Sequence, residues 1–364
     1  MLKGIKKRSC LQRITPYVPG KPVEELEREY GIKDAVKLAS NENPSGPSPL
    51  AVEAIRNSLT KINLYPDGRG YLLKNELAGR FGLQEDNVIL GNGADELINL
   101  VCAAYINPGD EVIIADPSFT SYESAVIIMD GVLRKIPTTE FFHDLGAMSE
   151  AVNSKTRLVF ICNPNNPTGT IVTHRDAERF LDGLPPGILV VMDEAYYEYV
   201  TDPGYPASLN FLADGRNILI LRTFSKMYGL AGLRIGYGLA DEEVIKDLHS
   251  VRAPFNVNSV AQAAALAALQ DTEHVCAVRE LNDRSKKYLY GEFERMGLAY
   301  VPTETNFVFL DVKTDSRRLY TDMLRKGVIV RPGDVFGYPQ FLRVTFGKDG
   351  ENRRFIKVLE QCLD

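Results

Sequence analysis

The sequence predicts an α/β protein with a large, mostly parallel sheet between helices and a second, smaller α+β domain. Three observations carry that prediction. The chain has 364 residues, which is more than one small core ordinarily organises. Short, almost continuously apolar runs alternate with stretches of helical periodicity from about residue 70. After about residue 260 the alternation gives way to mixed elements. A chain of this length buries roughly 75% of the surface it exposes when unfolded, so it needs no disulfide or metal to hold a core together.

Residues 1–50 carry Pro16, Pro19, Pro22, Pro44, Pro47 and Pro49, which marks a wrapping segment rather than a packed domain. Residues 1–40 are accordingly assigned as an arm that joins the smaller domain. Leu73, Leu77 and Phe81 fall at helical spacing, as do Leu97, Leu100, Val101 and Ala104. Between and after such helices come Val88-Ile89-Leu90, Val112-Ile113-Ile114, Leu158-Val159-Phe160-Ile161, Ile188 to Met192 and Ile218 to Leu221. Uniformly apolar runs between helices read as parallel strands buried on both faces. These place a large domain at 41–255, with ligands expected at the carboxyl ends of its strands. An Ala-rich helix then opens a smaller domain at 256–364. It contains Asn306 to Leu310, Gly327 to Val330, Phe341 to Val344, and a closing helix striped with Phe355, Val358, Leu359 and Cys362.

The formal net charge of −6 speaks against a general nucleic-acid binder, which carries a basic face to meet phosphates. The five cysteines are scattered and form no CxxC or zinc-finger pair, and the four histidines lie far apart; neither a disulfide framework nor a metal site is expected. The basic start leads into Leu11-Gln12-Arg13-Ile14-Thr15-Pro16 rather than an apolar stretch, so no secretory signal is expected. The most apolar helical stretch, around 260–269, falls short of the ~20 residues a membrane span needs. These features predict a cytoplasmic protein whose partners are small molecules, with no nucleic acid and no membrane.

Four polar clusters stand at the ends of the buried runs. Asp193-Glu194-Ala195-Tyr196 follows the run ending at Met192. A carboxylate there is costly unless it meets a cation or strong donors, and a lone Asp is as readily a cap or a structural ion pair. Lys226 follows another run, with the hydroxyls of Thr223 and Ser225 before it and Arg234 eight residues after. A lysine that forms a Schiff base must spend time neutral, and burial beside another cation favours that state. The hydroxyls and the arginine gather phosphate donors around that amine. Asn163-Pro164-Asn165-Asn166-Pro167-Thr168-Gly169 is a turn sequence that can also present the Asn166 amide as a donor. Gly91-Asn92-Gly93-Ala94-Asp95-Glu96 joins a strand to a helix, leaving backbone N–H groups at Gly93, Ala94 and Asp95 to receive a phosphate. Its glycine spacing does not match the dinucleotide-binding pattern. Arg343 lies inside an apolar strand, where it is either internally paired or holds an anionic substrate group bidentately.

Together these four clusters resemble the fold-type I pyridoxal-phosphate aminotransferases of class I/II, along nearly the whole chain. Within that family the likeness is to the branch that acts on histidinol phosphate. It rests on Leu11 to Tyr17, on Leu38-Ala39-Ser40-Asn41-Glu42-Asn43-Pro44, on Tyr65-Pro66-Asp67, on Arg222 to Gly238 and on Phe341 to Thr345. The resemblance implies pyridoxal 5'-phosphate as cofactor. It makes Lys226 the lysine that holds the cofactor and moves the proton, and Asp193 the partner of the pyridine nitrogen. Tyr196 and Asn166 become donors to the ring's phenolic oxygen, and Phe119 the side chain stacked on the ring. Ala94 and Asp95, with Thr223, Ser225, Arg234 and Tyr65 of a second subunit, take the phosphate. Arg343 takes the anionic group of the substrate, with Arg331 and Tyr17 as further anion contacts.

The activity so implied is transfer of the amino group of L-histidinol phosphate to 2-oxoglutarate by a homodimer. The same fold would serve an aromatic amino-acid aminotransferase or a phosphothreonine decarboxylase. A cofactor-sensing regulator needs a DNA-binding module for which the proline-broken first 40 residues leave no room. A Schiff-base lyase without cofactor leaves Asp193, Asn166 and Arg234 unexplained.

Overall fold

Residues 4–16 and 19–363 are described by the computed structural model of the chain. Val36–Lys37 (β1) precedes the strands of a seven-stranded sheet. These are Val88–Gly91 (β2), Glu111–Asp116 (β3), Val132–Pro137 (β4), Thr156–Cys162 (β5), Leu189–Asp193 (β6), Ile218–Thr223 (β7) and Gly236–Ala240 (β8). Their spatial order is β2-β8-β7-β6-β5-β3-β4. Strand β8 runs antiparallel to both neighbours, and every other pairing is parallel. The mostly parallel sheet read from the apolar runs is therefore present.

Two of its strands escaped that reading, for different reasons. Strand β4 is an edge strand with one neighbour and is largely exposed, so it lacks a continuous apolar run. Strand β8 is fully buried but glycine-rich. A Cβ on Gly236 would come within 2.7 Å of the Ala94 backbone nitrogen, so close approach to the helix that starts at Ala94 excludes a side chain there.

Side-chain alternation along the strands divides the core in two. Ile113, Val159, Val190, Met192 and Ile220 face one layer, joined by Leu73 and Leu77 of the helix Tyr71–Phe81. Val112, Phe160, Val191, Leu219 and Leu221 face the other, joined by Leu97 and Val101 of the helix Ala94–Tyr105.

A second, four-stranded sheet comprises Tyr300–Val301 (β9), Phe307–Asp311 (β10), Arg331–Pro332 (β12) and Phe341–Thr345 (β13), in the order β12-β13-β10-β9 and antiparallel throughout. Val328–Ile329 (β11) pairs in parallel with β1. The Leu38 N–H donates to the Ile329 carbonyl at 2.7 Å, and the Thr345 N–H donates to the Leu38 carbonyl at 2.9 Å. Residues 36–38 are thus stitched to elements about 300 residues further along the chain. The Ala-rich helix Ser259–Gln270 departs from the expected division at 256. Its small side chains let it lie close against the helix Pro49–Ser58, and Ala261, Ala264 and Ala268 join the core of the large sheet. The change of layer comes within the next helix, Thr272–Arg295, which contributes Val278 to the large core and Leu289 and Phe293 to the smaller one. No described helix is long and apolar enough to cross a membrane.

Glu194, in the large core, is wholly buried. It accepts from Arg222 at 2.9 Å (Nε) and 2.7 Å (Nη2). The guanidinium carbon of Arg222 stands 3.6 Å from the centroid of the Tyr197 ring. Removing one member of such a pair leaves an uncompensated charge, so Glu194→Ala should lower stability by about 3–5 kcal/mol. Urea unfolding at neutral pH measures it, and a loss below about 1 kcal/mol would show that water solvates Arg222 there.

Candidate active site

The carboxyl ends of β5, β6 and β7 open into a cavity of about 450 Å³. The position follows from the parallel strands of the sheet, which deliver their following loops to the same edge. Asp193 arrives from β6, Thr223, Ser225 and Lys226 from the end of β7, and Asn166 from the loop after β5. Ala94 and Asp95 line it from a helix start, Phe119 from the loop after β3, and Arg343 from β13 of the second sheet.

At one end the groups suit an oxyanion. Gly93 precedes the helix Ala94–Tyr105 with φ of 77° and no side-chain cap, so the first N–H groups stay available to a ligand. A Cβ on Gly93 would come within 2.5 Å of Arg234 Nη2, so the turn needs glycine for both its backbone and its neighbour. Arg234 donates from Nη1 to Ser225 Oγ at 3.3 Å and from Nη2 to Asp95 Oδ2 at 3.3 Å. The Ser225 N–H donates to Thr223 Oγ1 at 3.1 Å. A helix start, two hydroxyls and a guanidinium so gathered fit a phosphate.

Lys226 Nζ donates to the Ser40 carbonyl at 3.2 Å. Burial, with a smaller push from Arg343, lowers its pKa from 10.5 to about 8. At pH 7 about a tenth of the amine is then neutral, against roughly one part in three thousand for an unperturbed lysine. Asp193 shows the opposite displacement. Burial raises its pKa to about 6, although Tyr122 donates to Oδ2 at 2.6 Å and the Ala195 N–H to Oδ1 at 3.2 Å. A carboxylate so desolvated is suited to a ligand nitrogen that brings a proton.

Tyr196 is buried beside these groups, and burial raises its pKa. Its hydroxyl accepts from Asn41 Nδ2 at 2.9 Å, and its ring meets Phe307 edge-on. Arg343 donates from Nη1 to Asn166 Oδ1 at 2.6 Å and from Nη2 to the Ala39 carbonyl at 2.7 Å. With its carbonyl oxygen thus engaged, Asn166 turns its amide nitrogen away from Arg343 and keeps it as a donor.

Two of the expected site residues stand off the cavity of a single chain. Tyr65 is 83% exposed and stacks on Phe255 at 4.8 Å. Arg331 lies on β12 directly opposite Arg343 of β13 and does not line the cavity. Tyr17 lies outside the described residues. In the other direction, Tyr122, Asn41 and Ser40 went unassigned by sequence reasoning. Tyr122 had a faint signal, one helical turn beyond Phe119. Asn41 and Ser40 had none beyond the quoted resemblance, because their partners are more than 150 residues distant.

The model of the family "aminotransferase class I and II" matches residues 33–359. A histidinol-phosphate aminotransferase of Moorella thermoacetica is 55% identical over 359 residues, covering 98% of this chain and 93% of its own length. Histidinol-phosphate aminotransferase 2 of Carboxydothermus hydrogenoformans is 50% identical and covers 98% and 99%. Among solved structures, the histidinol-phosphate aminotransferase of Sinorhizobium meliloti in complex with pyridoxal-5'-phosphate superposes with a TM-score of 0.91. It is 29% identical, and the match covers 99% of this chain and 98% of that one.

The lowered pKa of Lys226 has a direct consequence. A small aldehyde trapped on the amine by borohydride, with the Lys226 peptide followed by mass spectrometry, should label faster as pH rises, with a midpoint near 8. Only the neutral amine attacks, so a midpoint at or above about 10 would mean that the pocket leaves it an ordinary lysine.

Proposed function

We propose that this chain, which belongs to the class I and II aminotransferases, transfers the amino group of L-histidinol phosphate to 2-oxoglutarate. The products are imidazole acetol phosphate and glutamate, in histidine biosynthesis, and the cofactor is pyridoxal 5'-phosphate. The observation that carries the reading is an amine held toward neutrality by burial, with smaller contributions from two guanidinium groups that line the same cavity, Arg343 and Arg234. One arginine belongs to the phosphate-shaped end of the cavity, and the other is left for an anionic substrate. Similarity to enzymes described as histidinol-phosphate aminotransferases supports the choice of donor. A cytoplasmic setting is part of the proposal, supported by five cysteines that are all unpaired.

The cavity's donor set fits the cofactor. Lys226 would hold it and Asp193 would face its ring nitrogen. Tyr196 and Asn166 would donate to its phenolic oxygen, and Phe119 would stack on the ring. Its phosphate would rest on the N–H groups of Ala94 and Asp95, with Thr223, Ser225 and Arg234. When bound, pyridoxal phosphate supplies an electron sink for negative charge at the substrate carbon. The protein's part is to place a base beside that carbon. Lys226 Nζ, neutral in part at physiological pH, would take the proton from the amine-bearing carbon and give it up within the same half-reaction to the cofactor carbon it had held. Arg343 orients the substrate, since a guanidinium pairs bidentately with a carboxylate or a phosphate.

One pocket must accept both the planar carboxylate of glutamate and the bulkier dianion of histidinol phosphate. Residues directly opposite in an antiparallel pair share a face of the sheet, so the Arg331–Arg343 register supports Arg331 as a source of further donors; Tyr17 is proposed beside it on the family resemblance alone. Loss of a charge-assisted hydrogen bond forfeits about 1.5–3 kcal/mol, or roughly tenfold to a hundredfold. Arg343→Ala should lower kcat/KM by that much in both half-reactions. Arg331→Ala should weaken histidinol phosphate more than glutamate. A coupled assay across histidinol phosphate, phenylalanine, tyrosine and phosphothreonine checks the donor; a preference for phenylalanine would remove the substrate assignment and keep the family.

We further propose a homodimer in which Tyr65 reaches the phosphate end of its partner's cavity. Leu59, Ile62, Leu64, Tyr65, Tyr71 and Leu72 are each between 51% and 83% exposed, and a cluster of that size favours association. Mixing inactive Tyr65→Ala and Lys226→Ala proteins should restore activity, because one site of each hybrid carries neither change. Absence of complementation in a mixture shown to contain hybrids would mean that each site is built from one chain.

A further inference from the structure

The direction of the Tyr196 hydroxyl is settled by groups outside the catalytic set. Among the described residues its one hydrogen-bond partner is Asn41 Nδ2. Asn41 is itself fixed by Thr345 on β13. The Asn41 backbone N–H donates to Thr345 Oγ1 at 2.9 Å, and Thr345 Oγ1 donates to Asn41 Oδ1 at 3.0 Å. The first of these bonds cannot be reversed, because a backbone N–H only donates. Thr345 Oγ1 therefore has its own proton to place, and Asn41 Oδ1 receives it. That leaves the amide nitrogen of Asn41 toward Tyr196, whose oxygen must accept.

Turning the Asn41 amide over would present two donors to Thr345 Oγ1 and leave the threonine proton without an acceptor. Asn41, Thr345 and Tyr196 are 1%, 3% and 3% exposed, so water does not relieve that loss. Since Tyr196 accepts from Asn41 and lines the cavity, the proton it carries is the one free to point into the cavity. Asn41 also has φ of 55°, a left-handed conformation that Asn and Asp tolerate best among residues with side chains.

We infer that Asn41, held by Thr345, is a positioning residue that fixes the Tyr196 hydroxyl as a donor toward the bound ligand. The inference rests on the pyridoxal-phosphate reading for the identity of the acceptor, the cofactor's phenolic oxygen. Reversing one hydrogen bond tests it. Asn41→Asp keeps shape, backbone conformation and the bonds to Thr345, but offers Tyr196 an acceptor, so the tyrosine proton turns back. Thr345→Val removes the anchor, whereas Thr345→Ser keeps it.

The readouts are the pH at which the visible absorbance of bound pyridoxal phosphate titrates and the cofactor's dissociation constant. Asn41→Asp should shift that pH by about one unit in the direction given by Tyr196→Phe, and should weaken cofactor binding. Thr345→Val should shift it the same way by a smaller amount, and Thr345→Ser should leave it in place. In a Tyr196→Phe background, Asn41→Asp should add nothing. The inference is overturned if Asn41→Asp titrates as the unaltered protein does, or if it shifts the band equally with and without the Tyr196 hydroxyl. Should Asn41→Asp fail to fold, a Thr345→Val protein that titrates like Thr345→Ser overturns it as well. An unaltered protein that binds no pyridoxal phosphate at Lys226 would overturn the cofactor reading, and this inference with it.

Discussion

The structure depends on what happens to charge at the tip of a strand buried on both faces. Strand β6 ends at Asp193 and Glu194 follows it directly, and successive residues of an extended chain point to opposite sides. Met192 belongs to one core layer and Val191 to the other, so the two acids are sent to different environments. Glu194 meets Arg222 beneath the rings of Tyr197 and Phe81. Asp193 meets the Tyr122 hydroxyl and, among the described residues, no cation. The first is a closed ion pair that belongs to the fold. The second is a desolvated acid that a ligand must complete.

The same contrast runs through the whole cavity. Lys226 is pushed toward neutrality because it is buried among arginines, and Asp193 is raised because burial outweighs its donors. Displaced groups of opposite kind that line one cavity mark a candidate site. The Arg222–Glu194 pair, equally buried, does not mark one, because each partner answers the other.

The segment Ala39-Ser40-Asn41 ties this chemistry to the second sheet. Its successive residues reach three functional groups: the Ala39 carbonyl accepts from Arg343, the Ser40 carbonyl accepts from Lys226, and the Asn41 amide donates to Tyr196. It is itself anchored by β1 on β11 and by the Leu38 bonds to Ile329 and Thr345. Any displacement of the second sheet is therefore felt at the amine, at the guanidinium and at the tyrosine together.

The sequence by itself determined the elements whose cause is local. Apolar runs of the right length make buried parallel strands, and polar residues directly after them must lie at the sheet's carboxyl edge. Asp193, Asn166 and Lys226 could accordingly be named without coordinates. Strands β4 and β8 were not legible, since one is an exposed edge and the other is shaped by a helix pressing on its glycines. The resemblance chose Asp193 over the adjacent Glu194, but the physical reason was not legible, because a sequence does not say which face of the sheet will hold the arginine. Only the tertiary structure decided that Glu194 is paired and Asp193 is not. It alone brought Asn41 and Thr345, 304 positions apart, into one network, since hydrogen-bond direction depends on partners that chain separation cannot reveal.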